Sequence, residues 1–174
     1  MKRQILLVDG YNMIGAWPEL VKLKNQEKLE ASRDLLLFKL SNYAKYEGIE
    51  VTVVFDAQFV PGVQQEYKKF DLKVVFTKKE ETADSYIERE TSAKMSRLTQ
   101  VTVATSDLAE QWLVFSKGAL RKSANELWKD IQLTKMKIKQ DTLDFKYQNY
   151  RRSGTWNLNQ LTELETLLND LSDQ

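Results

Sequence analysis

Four aspartates stand where a folded chain could bring carboxylates together. Asp9, Asp56 and Asp107 each follow a short apolar run, and Asp84 opens a helical pattern just after Thr82-Ala83. In an open parallel α/β sheet, ligands bind outside the carboxyl ends of the strands, near the point where strand order reverses. Helices that follow those strands start at the same edge, so all four acids are expected there. Two carboxylates roughly 4 Å apart repel by about 4 kcal/mol at an effective dielectric near 20, so such a cluster takes up protons or a cation. With oxygen ligands alone the cation is a hard one, Mg²⁺ or Mn²⁺, bound partly through water. Such an ion polarises a phosphoryl oxygen and makes hydroxide from bound water near neutral pH.

The composition points the same way by exclusion. Among 174 residues there is no cysteine and no histidine. That removes disulfides, structural zinc, thiol nucleophiles, Ser-His-Asp triads and imidazole acid–base chemistry together. Each acid also has a purely structural reading. Asp107 could N-cap a helix, with Glu110 completing a capping box, and Asp84 in a first turn suits the helix dipole. Asp56 could start a loop, and Asp9-Gly10 is ordinary turn chemistry. Their coincidence at one edge favours a metal site.

With 42% hydrophobic and 29% charged residues and only two prolines, the chain is expected to fold around a real core. Ile5 to Val8, Val51 to Phe55 and Val101 to Ala104 are continuous apolar runs, the pattern of strands buried on both faces. Leu72 to Phe76 is a weaker strand, and its Lys73 suggests a place nearer the sheet edge. Helical patterns cover Leu29 to Tyr46, Ala83 to Leu98 and Leu108 to Phe115, and Ser123 to Glu126 is a capping box opening a fourth. Beyond about Met136, period-two alternation at Met136/Ile138 and Leu143/Phe145/Tyr147 competes with a continuing helix. Ser153-Gly154 then breaks the pattern, and Leu158 to Leu171 reads as an acidic amphipathic helix. Strands alternating with helices predict an α/β fold with a mostly parallel sheet covered on both faces.

The string Leu6-Leu7-Val8-Asp9-Gly10-Tyr11-Asn12-Met13-Ile14 resembles the opening of the NYN domains, a branch of the PIN-like nuclease superfamily. Further blocks follow in the same order as in its YacP-like group: Val54 to Ala57, Phe76-Thr77 with Glu81 to Asp84, Ala104 to Asp107, and Gly118 to Ser123. The resemblance implies a three-layer PIN-like domain over residues 1–135; after about residue 136 it fades, and 136–174 read as a basic then acidic extension packed on the same domain. It also implies Mg²⁺- or Mn²⁺-dependent endoribonuclease activity, in a group that includes a ribosome-associated enzyme cutting mRNA during translation. Carried over, Asp9, Asp84 and Asp107 would hold the ion, with Asn12 and Asp56 supporting them. Hydrolysis would leave 5′-phosphate and 3′-hydroxyl ends. A phospho-aspartate enzyme would want a second acid two residues after Asp9, where Tyr11 stands.

An acidic edge repels a phosphate backbone unless cations flank it. The net charge is +1, yet Lys117 to Arg152 carries ten basic and four acidic residues, a net of +6 on a mildly acidic body. Arg121 and Lys122, just before the capped helix, are the expected RNA contacts, extended by Lys135, Lys137, Lys139, Lys146, Arg151 and Arg152. Tyr147, Tyr150 and Trp156 could stack on bases, and so could Tyr11 and Trp17 in the loop after the first strand, where they could equally anchor it. The alternative to an enzyme is a non-catalytic RNA- or ribosome-binding module that uses the basic segment alone. The four-residue apolar run at the N-terminus is too short for a signal-peptide core, and no spanning stretch appears, so a cytoplasmic location without membrane partners is expected.

Overall fold

The computed structural model describes residues 2–57 and 65–152, with Thr162, Glu163 and Thr166 beyond them. In chain order the elements are β1 (Arg3–Asp9), α1 (Gly10–Ala16), α2 (Pro18–Asn25), α3 (Leu29–Glu47), β2 (Glu50–Phe55), β3 (Gln65–Lys69), β4 (Leu72–Phe76), α4 (Ala83–Lys94), β5 (Thr99–Ala104), α5 (Leu108–Ser116), β6 (Leu120–Lys122) and α6 (Ala124–Arg152). The chain divides into two units, Met1–Gln132 and Leu133–Gln174, and the sheet belongs to the first.

The continuous apolar runs become the interior of the sheet, because only a strand covered on both faces can bury every side chain. Strand order is β3-β4-β2-β1-β5-β6. β1 pairs in parallel with both β2 and β5, β4 is parallel to β2, and β6 is parallel to β5. The chain therefore builds outward on one side of β1, then crosses to the other. That puts the reversal of strand order at the carboxyl end of β1, where Asp9 stands.

Alternation along β1 splits its apolar side chains between two cores. Leu6 and Val8 pack with Met13, Ile14, Trp17, Leu36, Leu40, Leu127 and Ile131, from α1, α3, the start of α6 and the Trp17 junction between α1 and α2. Ile5 and Leu7 pack with Ala83, Tyr86, Ile87 and Val114 from α4 and α5. Three layers result, with the five parallel strands in the middle one.

Several local expectations are corrected. β4 does lie near the edge, second from it, but the edge itself is the antiparallel strand β3, which the sequence pattern did not reveal. Phe70 and Asp71 make the two-residue turn between them with φ of 54° and 62°, the left-handed geometry that such hairpins need. No loop opens at Asp9-Gly10; α1 begins there directly. The helix expected through Leu98 ends at Lys94, where Met95 turns extended. Beyond Met136 the chain stays helical to Arg152. Its run of Lys, Gln, Leu and Met with no glycine or proline outweighs the alternation, and Met136 and Phe145 stand exposed rather than on a sheet. Of the acidic helix expected near the C-terminus only Thr162, Glu163 and Thr166 are described, and Ser153-Gly154 and Trp156 lie outside the described residues.

Candidate metal centre

Asp9 is the last residue of β1 and shares the parity of Ile5 and Leu7, so its carboxylate faces the α4/α5 layer. It also N-caps α1. Oδ1 accepts from the Asn12 backbone N–H at 3.3 Å, and Oδ2 accepts from the Asn12 side-chain Nδ2 at 2.6 Å. The direct strand-to-helix passage needs glycine next, because a Cβ on Gly10 would run into the Phe55 ring. Asp9 is only 5% exposed. Burial pushes its carboxyl up to about 6, against the Asn12 hydrogen bonds and helped by the charges of Asp84 and Asp56.

Asp84 is the second residue of α4, whose N-cap Thr82 accepts from the Ser85 N–H at 3.2 Å. Asp107 N-caps α5, and its Oδ1 accepts from Ala109 N at 2.8 Å and Glu110 N at 3.5 Å. In a capping box Glu110 would reach back to the Asp107 N–H. Here the Thr105 hydroxyl takes that N–H at 3.1 Å, and Glu110 turns inward instead. Glu110 is 4% exposed, and among the described residues neither of its carboxylate oxygens has a well-formed hydrogen bond. Burial first, then the charges of Asp84 and Asp9, push it up to about 8, although the nearby Thr105 hydroxyl eases the shift.

One oxygen each from Asp9, Asp84 and Glu110 lies within 4.8 Å of the others. Three carboxylates this close, two of them buried and one with neither oxygen in a well-formed hydrogen bond, fit a hard divalent cation, whose charge replaces the hydration they have lost. The structure thus brings Asp9 and Asp84 together and adds Glu110, which the sequence showed only as a capping-box position. Asp107 is not in this trio; its carboxylate closes the first turn of α5. Asp56 stays at the rim, half-buried after β2, where its charge reaches Asp9. The ends of β2 and β4 are pinned there by Thr77, whose N–H donates to Phe55 O at 3.0 Å and whose Oγ1 accepts from Ala57 N at 3.1 Å.

Cations flank the trio unequally. Arg121 and Lys122 are neighbours on a strand, so their side chains go to opposite faces. Arg121 donates to Gln111 Oε1 at 3.1 Å, and Gln111 is itself held by Thr105 O at 2.7 Å. Lys122 is half-buried in an ion pair with Asp130 on α6, which keeps its ammonium pKa raised despite burial. The two cations thus sit on opposite faces of β6 with different partners. On the other side of Asp9, Arg33 of α3 donates to the Tyr11 hydroxyl at 3.3 Å, and its guanidinium lies 5.9 Å from the Phe76 ring centroid. Tyr11 packs edge-on against Phe55 at 5.1 Å. Trp17 is an anchor: it is fully buried, and its Nε1 donates to Ala124 O at 2.9 Å. Ser123 and Glu126 form the expected capping box on α6. Lys135, Lys137, Lys139 and Lys146 are exposed along α6, with Tyr150 exposed and Tyr147 half-buried. The side chains of Arg151 and Arg152 lie outside the described part.

Asn12 holds Asp9 without adding charge. Asn12→Asp would place a second carboxylate at the same 2.6 Å position and remove the donor. The variant is expected to raise the Asp9 pKa further and to weaken Mn²⁺ binding at pH 7 by about tenfold or more, read by isothermal titration calorimetry.

The chain matches the family model for the YacP-like NYN domain over residues 6–169. It is 48% identical over 134 residues to the uncharacterized protein YacP of Bacillus subtilis strain 168, covering 77% of this chain and 78% of that one. Crystal structures of Rae1 (YacP) from Bacillus subtilis superpose at 40% identity. One, a point mutant, gives a TM-score of 0.71 with 92% of this chain and 89% of that chain covered. Another gives 0.72 with 97% and 92%. Among the described residues no helix is long and apolar enough to cross a membrane.

Proposed function

Because this chain belongs to the YacP-like NYN domain family, whose PIN-like relatives are nucleases, we propose that it is a metal-dependent endoribonuclease acting on mRNA at or near the translating ribosome. The observation that carries the reading is Glu110, whose two buried carboxylate oxygens, without a well-formed hydrogen bond among the described residues, sit with Asp9 and Asp84. A buried acid without a donor is costly unless its site is made for a cation.

Asp9, Asp84 and Glu110 would hold Mg²⁺ or Mn²⁺, with Asp107 and Asp56 adding negative charge at the rim. When bound, such an ion polarises a phosphoryl oxygen and yields a water-derived nucleophile near neutral pH. Asn12 fixes the rotamer of Asp9 through both carboxylate oxygens, so the ligand is oriented before the ion arrives. Metal-free, Asp9 and Glu110 hold protons over the range their raised pKa values set, and release them on metal binding. Arg33 and Arg121 are each fixed by a neutral oxygen, from Tyr11 and Gln111. Their charge remains available to the RNA phosphates on the two sides of the acids, while Lys122 is spent on Asp130.

End-labelled unstructured RNA tests the reading. Internal cleavage is expected with Mn²⁺ or Mg²⁺, leaving 5′-phosphate and 3′-hydroxyl ends, and none in excess EDTA. Cyclic-phosphate products, or equal cleavage with the chelator, would overturn it. Cleavage of an mRNA that rises when the message is being translated would support the ribosomal setting.

A further inference from the structure

The outer face of α5 is unlike the rest of the surface. Leu108, Trp112 and Phe115, spaced i, i+4 and i+7, form one stripe on it, and they are 71%, 74% and 58% exposed. The inward side of the helix carries the buried Glu110 and Val114, and the buried Gln111 lies between that side and the stripe. The stripe lines a groove of about 470 Å³ together with Gln111 and Arg121. Among the described residues no ring packs on Trp112, and a contiguous apolar patch of this kind marks a binding surface rather than chance exposure.

The cation at the groove decides between occupants. The Arg121 guanidinium is held by Gln111 Oε1 and forms no ion pair with a described carboxylate. Glu126, which senses its charge, is committed to the Ser123 cap. An apolar helix of another protein laid over the stripe would bury that guanidinium without a counter-charge, at considerable cost. A single RNA strand brings a flat ring and a phosphate at every step, which suits an exposed indole beside a fixed guanidinium. The groove also adjoins the metal centre along the chain, since Gln111 follows Glu110 directly and Leu108 follows the cap residue Asp107.

We infer that this groove is a nucleobase subsite, where one unpaired base of the RNA strand stacks on Trp112 and its neighbouring phosphate meets Arg121. The assignment rests on the endoribonuclease reading and adds that the substrate must be single-stranded where it leaves the acids. A paired base could not present its face to Trp112.

The test is binding of a fluorescein-labelled single-stranded RNA decamer by the full chain carrying Glu110→Gln, which binds without cutting. Adding Trp112→Ala is expected to weaken binding about tenfold, and Trp112→Phe by less than about threefold, because a smaller ring still stacks. Abasic positions are then scanned along the decamer. At one position the base loss is expected to cost the Glu110→Gln parent about tenfold and the double variant with Trp112→Ala almost nothing, the non-additivity of two groups in contact. Equal affinities for Trp112→Ala and its parent, or additive losses at every position, would overturn the subsite. So would a Trp112→Ala variant that binds RNA normally but no longer associates with ribosomes, since the face would then dock protein. If the parent binds no RNA at any salt concentration, the endoribonuclease reading itself fails, and the subsite with it.

Discussion

Glu110→Gln loses cleavage as completely as Asp84→Asn, on the order of 10³-fold or more in kcat, while both variants still bind RNA. The expectation follows from what each oxygen has to do. Glu110 is buried, and among the described residues neither oxygen is in a well-formed hydrogen bond, so its charge supports no helix cap. An amide there removes the charge and one of the anionic ligands, at almost no change in volume. Asp107→Asn is the informative contrast. Asparagine caps helices as well as aspartate does, so α5 keeps its first turn while the rim loses one charge. Its cleavage is expected to fall by about tenfold or less. A larger loss for Asp107→Asn than for Glu110→Gln would return Asp107 to the ligand set and displace Glu110. Were none of these substitutions to change cleavage while loss of Arg121 abolished RNA binding, the chain would be a binding module instead.

Metal-free protein loses roughly 3 kcal/mol of stability as pH rises from about 4 to 8, and saturating Mn²⁺ abolishes the loss. Asp9 and Glu110 have folded-state values pushed up to about 6 and about 8, from ordinary values of 3.8 and 4.5. A carboxyl whose folded value lies above its unfolded one binds the extra proton in the native state. Its contribution is therefore full below the unfolded value and disappears as pH passes the folded one. The two acids share one neighbourhood, so their protons leave in coupled steps and the sum is smaller than two independent shifts would give. For a chain of this size about 3 kcal/mol corresponds to a fall in Tm of roughly 6–12 °C across that range. Mn²⁺ binds only the deprotonated pair, so its stabilisation is greatest at the alkaline end, where the apo protein is weakest. Differential scanning calorimetry at about pH 5 and about pH 8, with EDTA and with Mn²⁺, reads both effects. Glu110→Gln should flatten the apo profile, which also separates loss of cleavage from loss of fold. A Tm that rises with pH in EDTA would contradict the arrangement of the acids.

Patterns of neighbouring residues determined most of the architecture. Ile5 to Val8, Val51 to Phe55 and Val101 to Ala104 are apolar without alternation, and only strands sandwiched between helices can hide such runs. The absence of histidine and cysteine left carboxylates as the chemistry, and Asp9 and Asp84 were placed at the edge by position alone. Tertiary structure decided the rest. Whether Glu110 caps its helix or joins Asp9 depends on the Thr105 hydroxyl, which takes the N–H that Glu110 would have used. Lys122 pairs with Asp130 and Arg121 with Gln111 because strand alternation sends them to opposite faces, each to a partner on a different helix. A side chain's type and spacing tell what it can bind. Which donors and charges surround it is settled by segments far away in the chain, and here those surroundings make Asp107 a helix cap and turn Glu110 inward beside Asp9 and Asp84.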